Sequence, residues 1–374
     1  MLIKLELTNW RRLKEPTTFD FNPPITFLNG KNDSAKESVR EALEFLKVFI
    51  LQTDEIFFND PIHRPYYKYK LANYYLRPCD KNKPTEIRLT VKIEEEYYRY
   101  FLIIKKNEIL DETLELSSNG EQWDKIVDRK CLSRTLPLTS FLGEFNFSFG
   151  DIGGGIIAPL SIEKCELLTN WFEKTLCFLD HPYATVVHIP ENNPVKFLVE
   201  LATLLNDCDY AISSIYHNPT EEPIYIWSKP RKGLNETIGV LKLDGKRQLN
   251  FYHSWKNWDG TMGEIERKIY IKKKNQPEDV VWSWNDEPDS LFKLIKLSPI
   301  FMDNPTDPKV YVINNFNDQF HTLLTTALLN RYLQENENKK NKQLIFTSTQ
   351  PIHNQEYLIK PSEIINFDKS KDSQ

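Results

Sequence analysis

Glycine is scarce in this chain, at 12 of 374 residues, methionine scarcer at 3, and cysteine numbers only 5. No two of Cys79, Cys131, Cys165, Cys177 and Cys208 stand in the C-x-x-C spacing of metal or redox sites, so the thiols are expected to be reduced and mostly packed. The seven histidines are scattered, without H-E-x-x-H or another metal spacing. No apolar run approaches the roughly 18 residues needed to span a bilayer. The opening Met1-Leu-Ile-Lys-Leu-Glu-Leu7 alternates apolar and charged residues, as a strand does, and lacks the basic head and apolar run of a signal peptide. A cytoplasmic protein with no membrane contact is expected. An excess of positive charge is missing too. With 48 basic and 53 acidic residues the net charge is -5, which argues against a surface built mainly to wrap nucleic acid, although a local basic patch fits within such a total. No internal repeat is evident.

What is present is an ordinary soluble composition, 40% hydrophobic and 27% charged, enough for one large domain or two lobes. Leu2 to Leu7 reads as a strand, and Ile25 to Leu28 as a second that ends in Asn29-Gly30. From Ser38 to about Gln52, Val39, Ala42, Leu43, Phe45, Leu46, Phe49 and Ile50 recur at helical spacing, which places Gly30 to Glu37 in a strand-to-helix turn. Glu86–Ile93 and Tyr97–Ile104 form an antiparallel pair. Between Ser161 and Asn206 lie two helical patterns, one through Leu167, Leu168, Trp171, Phe172 and Leu176, the other through Phe197, Leu198, Leu201, Leu204 and Leu205. Asp151-Ile-Gly-Gly-Gly155 ahead of them suits a hinge. Strands return at Ile224–Trp227 and Val240–Leu243. The last third alternates: helix Leu291–Phe301, strand Val310–Ile313, helix from Phe320 to about Gln334, strand Gln343–Thr347, and a short strand over Glu363–Phe367. Short apolar strands between helices imply a mostly parallel sheet covered on both faces. Residues 335–342 read as a solvated loop and 369–374 as a disordered tail.

Chemistry is sought first in the turn Gly30-Lys31-Asn32-Asp33-Ser34-Ala35-Lys36-Glu37. Set against the phosphate loop G-x-x-x-x-G-K-[ST], it keeps Gly30 and Lys36 but has Ala35 for the second glycine and Glu37 for the hydroxyl residue. Such loops work because backbone N–H groups and a helix N-terminus face the phosphates. Ala35 narrows the approach slightly. Glu37 removes the hydroxyl that would hold Mg²⁺ and brings a carboxylate beside the phosphate oxygens, with Asp33 a second anion nearby. The same acidic residues also suit a helix N-terminus with no ligand at all.

Together with Asn9-Trp-Arg-Arg-Leu-Lys-Glu15, Leu28-Asn-Gly-Lys-Asn32 and Arg40-Glu-Ala-Leu-Glu-Phe-Leu46, this opening resembles the SMC, RecF and OLD-type ATPases. The resemblance is nearest to the short AAA-type ATPases of bacterial abortive-infection and other anti-phage operons. It implies an α/β fold of the ABC-type ATPase head, a mixed, mostly parallel sheet with flanking helices, an antiparallel β sublobe and a helical insert. The divisions are 1–115, the N-terminal half with the sublobe; 116–215, the insert; and 216–368, the C-terminal half. The family ends a buried strand in an acidic pair, and here Asn314 and Asn315 follow Val310–Ile313, with His321 retained at the start of the next helix. An amide at Asn314 is a poorer Mg²⁺ ligand than a carboxylate, and Asn315 cannot take a proton from an attacking water. Thr349 stands where the family has its switch histidine. The family's signature segment matches Glu287-Pro-Asp-Ser290 without its glycine, while Asp259-Gly-Thr261 is read as a turn.

The resemblance therefore implies a catalytically silent ATPase-like subunit that works through binding. Its vestigial nucleotide site would comprise Gly30, Lys31, Asn32, Ser34 and Lys36. No metal and no cofactor are expected, other than ATP held without Mg²⁺. The expected partner is a protein, as a homodimer or a pairing with an active paralogue or an effector. Alternatives are residual ATPase activity through Lys36 and a DNA-clamp component. No nuclease domain of the OLD kind is expected after the last strand. Lys272-Lys-Lys274 with Trp282 and Trp284 fits nucleic-acid contact or a lysine-protected strand edge equally. Asp286, Glu287 and Asp289 read as an exposed acidic loop, and Asp60, His63, Asp180 and His181 as ordinary loop residues.

Overall fold

The first helix has one wide apolar face, and the architecture follows from the need to cover it. In the computed structural model, residues 1–21, 24–30, 35–51, 79–105, 108–128, 163–179, 186–189, 194–217, 224–225, 236–243, 249–256, 262–274, 277, 283–302, 308–336, 341–348 and 361–367 are described. They fall into two compact units: Met1–Phe178 with Pro305–Asp318 and Asn336–Gln374, and Leu179–Asn304 with Gln319–Glu335.

The first unit holds two sheets. One is antiparallel, in the order β2 (Thr17–Asp20), β1 (Leu2–Thr8), β4 (Thr85–Ile93), β5 (Glu96–Lys105), β6 (Glu108–Ser117) and β7 (Asp124–Asp128). The other is parallel, in the order β17 (Ile364–Asn366), β3 (Ile25–Asn29), β16 (Lys342–Thr347), β15 (Lys309–Ile313) and β8 (Leu176–Phe178). Helix α1 (Lys36–Leu51) shares one apolar core with both sheets. Leu2, Leu5 and Leu7 of β1 contribute from the antiparallel side, and Leu28, Val310, Val312 and Ile345 from the parallel side; a two-residue period from Leu5 to Leu7 and from Val310 to Val312 sets which side chains enter this core, while the parallel strands are buried on both faces. The alternate residues Phe27 and Phe346 stack across β3 and β16 at 5.0 Å between centroids.

The two sheets are also joined by one side chain. Gln343, fully buried, accepts the Leu2 N–H at 2.9 Å and donates to the Leu2 carbonyl at 3.0 Å, so its amide plays the part of a neighbouring strand's peptide group. Each bond contributes on the order of 1 kcal/mol net, and the larger effect is that neither Leu2 group is left unsatisfied.

The second unit carries another antiparallel sheet: β10 (Ile212–His217), β14 (Met262–Lys273), β13 (Leu249–Lys256), β12 (Glu236–Leu243) and β9 (Val186–Ile189), with β11 (Ile224–Tyr225) also on β14. Of its helices, α3 (Pro194–Asp207) packs on β10 and on α4 (Asp289–Met302), and Arg331 of α5 (Thr322–Asn336) lies 3.2 Å from Asp207.

A mixed α/β chain with a parallel and an antiparallel sheet is what the pattern implies. The strands read from Ile224 and from Val240 fall in β11 and β12 of the second antiparallel sheet, which is additional to the one antiparallel sublobe expected. Residues 116–215, expected as a helical insert, hold α2 (Glu163–Asn170) and α3 but also β7, β8, β9 and most of β10. Leu176, read as helical, begins β8: α2 gives way to a π-helical turn over Trp171–Thr175. Lys47 of α1 donates to Glu173 O and Leu176 O there, and Lys309 to Lys174 O, so the loosened carbonyls find ammonium partners. Burial lowers the pKa of Lys47. Lys272 and Lys273, read as belonging to a strand edge or a nucleic-acid contact, lie at the end of β14, paired with Ser214 and Ile212 of β10, while β13 pairs with β14 only from Met262 to Lys268. Trp284 offers no stacking face, since it is 2% exposed with its indole N–H on Ile269 O at 2.6 Å. Of the described cysteines, Cys165 is buried, Cys177 and Cys208 half-buried, and Cys79 exposed; none of the four is in a disulfide. No helix among the described residues is long and apolar enough to cross a membrane.

Candidate functional site

At the carboxyl edge of the parallel sheet three adjacent strands end side by side: β3 in Asn29-Gly30, β16 in Thr347-Ser348 and β15 in Asn314-Asn315. Ligands of open parallel sheets bind at such an edge. The chain leaves β3 and returns as α1, whose first residue is Lys36.

The start of α1 is fixed from the β1–β2 connection. Asn9 takes a left-handed φ of +52°. Its side-chain amide donates to the carbonyls of Asp80, Lys83 and Pro84 and accepts the Asp80 N–H. The next residue, Trp10, donates its indole N–H to Ser38 O at 2.9 Å in the first turn of α1, and Arg11 pairs with Glu41 at 3.0 Å. The Asn-Trp-Arg sequence is thus a bracket for the helix N-terminus, a role the sequence does not reveal.

Lys36 is 1% exposed. Its ammonium donates to Gly30 O and to Ser348 O, both at 2.9 Å, and so joins the ends of β3 and β16. The methyl of Ala35, read as narrowing the turn, packs against the apolar core. Glu37 is exposed in the first helical turn, where its charge suits the helix dipole. Lys31, Asn32, Asp33, Ser34 and, on the switch segment, Thr349 lie outside the described residues.

The asparagine pair is engaged with β16. Thr347 donates its hydroxyl to Asn314 Oδ1 at 2.5 Å and accepts the Asn315 N–H at 2.8 Å, while Phe316 N–H bonds to Thr347 O at 2.8 Å. Asn315 has a φ of +52°, a conformation asparagine tolerates better than most residues. The neutral amide oxygen of Asn314 is here matched to a hydroxyl donor. On the other side of β3, Asn29 donates to Asn366 at 2.8 Å. Thr347 and Ser348, which make the contacts, are the residues the sequence reading passed over in favour of Thr349.

In the second unit Asp286 and Asp289 are exposed, as the acidic-loop reading has them, and so are Ser283, Asn285 and Pro288, but Glu287 is 4% exposed and departs from it. The Lys273 ammonium lies 2.8 Å from each Glu287 oxygen and donates at 3.3 Å to Tyr210 O. Ser290 hydrogen-bonds the Tyr210 side chain, whose pKa is raised by burial and partly restored by that bond. The residues matched to the phosphate-contacting signature are therefore bonded within their own unit. His321, at the start of α5, accepts the Leu324 N–H on Nδ1 at 3.2 Å, a side-chain cap. Among the described residues no three His, Cys, Asp or Glu side chains gather as a cation site.

No family model matches the chain, and no curated protein does. Among solved structures it is similar to the SMC head domain from Thermotoga maritima, at 13% identity over 94% of this chain and 90% of that one, with a TM-score of 0.39. At that score the likeness assigns neither a family nor an activity, and the reading below rests on the residues.

Proposed function

We propose that the chain is a non-hydrolysing, ATPase-like subunit that acts by binding another protein. The observation that carries this is the hydrogen-bonded set Asn314, Thr347 and Asn315 beside the Lys36 end of α1. Hydrolysis of a phosphoanhydride at this edge needs a carboxylate for Mg²⁺ and a base for water; an amide and a hydroxyl bonded to each other supply neither. The motif resemblance puts the partner in a bacterial anti-phage system, as an active ATPase-like paralogue, a second copy or an effector enzyme.

The test is ATP turnover by the purified chain, with and without Mg²⁺, beside calorimetry with ATP and a slowly hydrolysed analogue. No turnover is expected. Mg²⁺-dependent hydrolysis that disappears in Lys36→Ala overturns the proposal. ATP binding without Mg²⁺ and without hydrolysis keeps it and makes the pocket a sensing site.

A further inference from the structure

Residues 171–178 are written as one structure and folded as another. Cys165, Leu168, Phe172 and Leu176 recur at the three- and four-residue steps of a single helical stripe, and no glycine or proline stands between Glu163 and Leu179. Nothing in the local sequence stops α2 at Asn170. The chain nevertheless turns π-helical over Trp171–Thr175 and enters β8, where Leu176, Cys177 and Phe178 pair with Val310, Tyr311 and Val312 of β15. π-helical turns are rare and gather at functional positions.

This arrangement carries a cost and a means of holding it. The indole N–H of Trp171, a residue 3% exposed, has no hydrogen-bond partner among the described residues, and an unpaired buried donor is unfavourable. In an α-helix the carbonyls of Glu173 and Lys174 would accept the N–H groups of Cys177 and Phe178. Here they accept from side chains: Lys47 of α1 donates to Glu173 O at 3.2 Å and to Leu176 O at 2.6 Å, and Lys309, at the start of β15, donates to Lys174 O at 2.8 Å. Two ammoniums stand in for the backbone donors of a longer helix. The Arg40 guanidinium of α1 lies 5.8 Å from the centre of the Phe178 ring and adds a contact at the end of β8.

We propose that residues 171–178 form a two-state joint: the π-helical turn with β8 in one state, and α2 extended through Phe178 in the other, with Lys47 and Lys309 selecting the first. Two packings of one segment can lie within a few kcal/mol when local preference and fold disagree. In the second state β15 loses β8 and keeps β16 as its neighbour among the described strands. Phe178 is also the last residue of the first unit before the chain crosses to the second, so the switch winds the segment that leads to the crossing into helix. The joint is a property of the fold whether or not a nucleotide binds.

Hydrogen exchange of the full-length chain, read by mass spectrometry in peptides covering residues 163–178 and 308–314, tests it on Lys47→Met/Lys309→Met against the parent. With both donors gone, the β15 amides are expected to exchange at least about tenfold faster, while residues 171–178 keep their protection because their N–H groups pass from strand to helix. Faster exchange in both segments would mean that the lysines merely hold β8 in place, and it overturns the joint. An unchanged rate in β15 overturns it too. If the double variant does not fold, Cys177→Ala decides, since it sets the strongest helix former in the middle of β8. The β15 amides are then expected to exchange about threefold faster with residues 171–178 still protected, and no change in β15, or a loss of protection in both segments, overturns the joint.

Discussion

Lys36 lies in a segment that matches a phosphate-contacting motif and Lys273 pairs with one, Glu287–Ser290, but the two are held by different chemistry. Lys36 is bonded to two backbone carbonyls, while Lys273 faces the Glu287 carboxylate, with Tyr210 O as a third partner. The carbonyls belong to the chain whatever its side chains are, so substitution reaches these two bonds through the lysine. In the second either partner can be removed, and removing one leaves the other as an uncompensated charge in a poor solvent. The two sites should therefore respond differently to substitution.

The largest effect is expected from Glu287→Ala, which strands the Lys273 ammonium and should cost the second unit about 3 kcal/mol or more in urea unfolding. The double variant Lys273→Met/Glu287→Leu should recover most of that loss, and a double variant as unstable as the single would show that the pair does more than neutralise itself. Next is Gln343→Leu, which leaves both Leu2 backbone groups without their partner. A loss of about 2 to 4 kcal/mol in the first unit is expected, seen as a lower denaturant midpoint at unchanged slope. Thr347→Val keeps the shape and deletes the hydroxyl between Asn314 and Asn315; about 1 to 2 kcal/mol is expected, and an unchanged stability would mean the asparagine pair holds its turn without β16. The smallest is His321→Ala, about 0.5 kcal/mol through the lost cap of α5.

Alkaline pH probes both units through their thiols. Burial raises the pKa of Cys165 in the first unit, and of Cys208 in the second, from 9.0 to about 11. The folded chain then keeps protons that the unfolded chain releases. The contribution to stability is complete below pH 9 and is lost as pH rises through 11. Unfolding followed against pH should show that decline, and Cys165→Ser and Cys208→Ser should each flatten it. Among the four described thiols Cys79, exposed, should be the first to react with iodoacetamide.

Much of the frame was legible because burial writes a period into the residues. The alternation in Leu2–Leu7, the apolar runs at Ile25, Val310 and Leu344, and the helical recurrence from Val39 to Ile50 each correspond to an element seen here. The site was legible only by position. That Asn314, Lys36 and the strand ending at Thr347 converge follows from strand and motif order. What Lys36 bonds to does not, since a carbonyl oxygen is the same at every residue and has no letter in the sequence. That Lys272 and Lys273 lie on a strand was legible from the alternation around them; that this strand pairs with β10, far back in sequence, was not. Glu287 misled because its partner is 14 residues away on another element. The π-helical turn at Trp171 has no periodic signature of its own, so the helix was read on into Leu176.

The order of strands in the parallel sheet also sets a timetable. β3 is flanked by β16 and β17, made more than 300 residues later. At a synthesis rate of roughly 5 to 20 residues per second, β3 and the apolar side of α1 that faces this sheet wait on the order of 15 to 60 seconds for their neighbours. During that interval β3 is an open template for pairing with other nascent chains, and the cell must shield it until the last strands leave the ribosome.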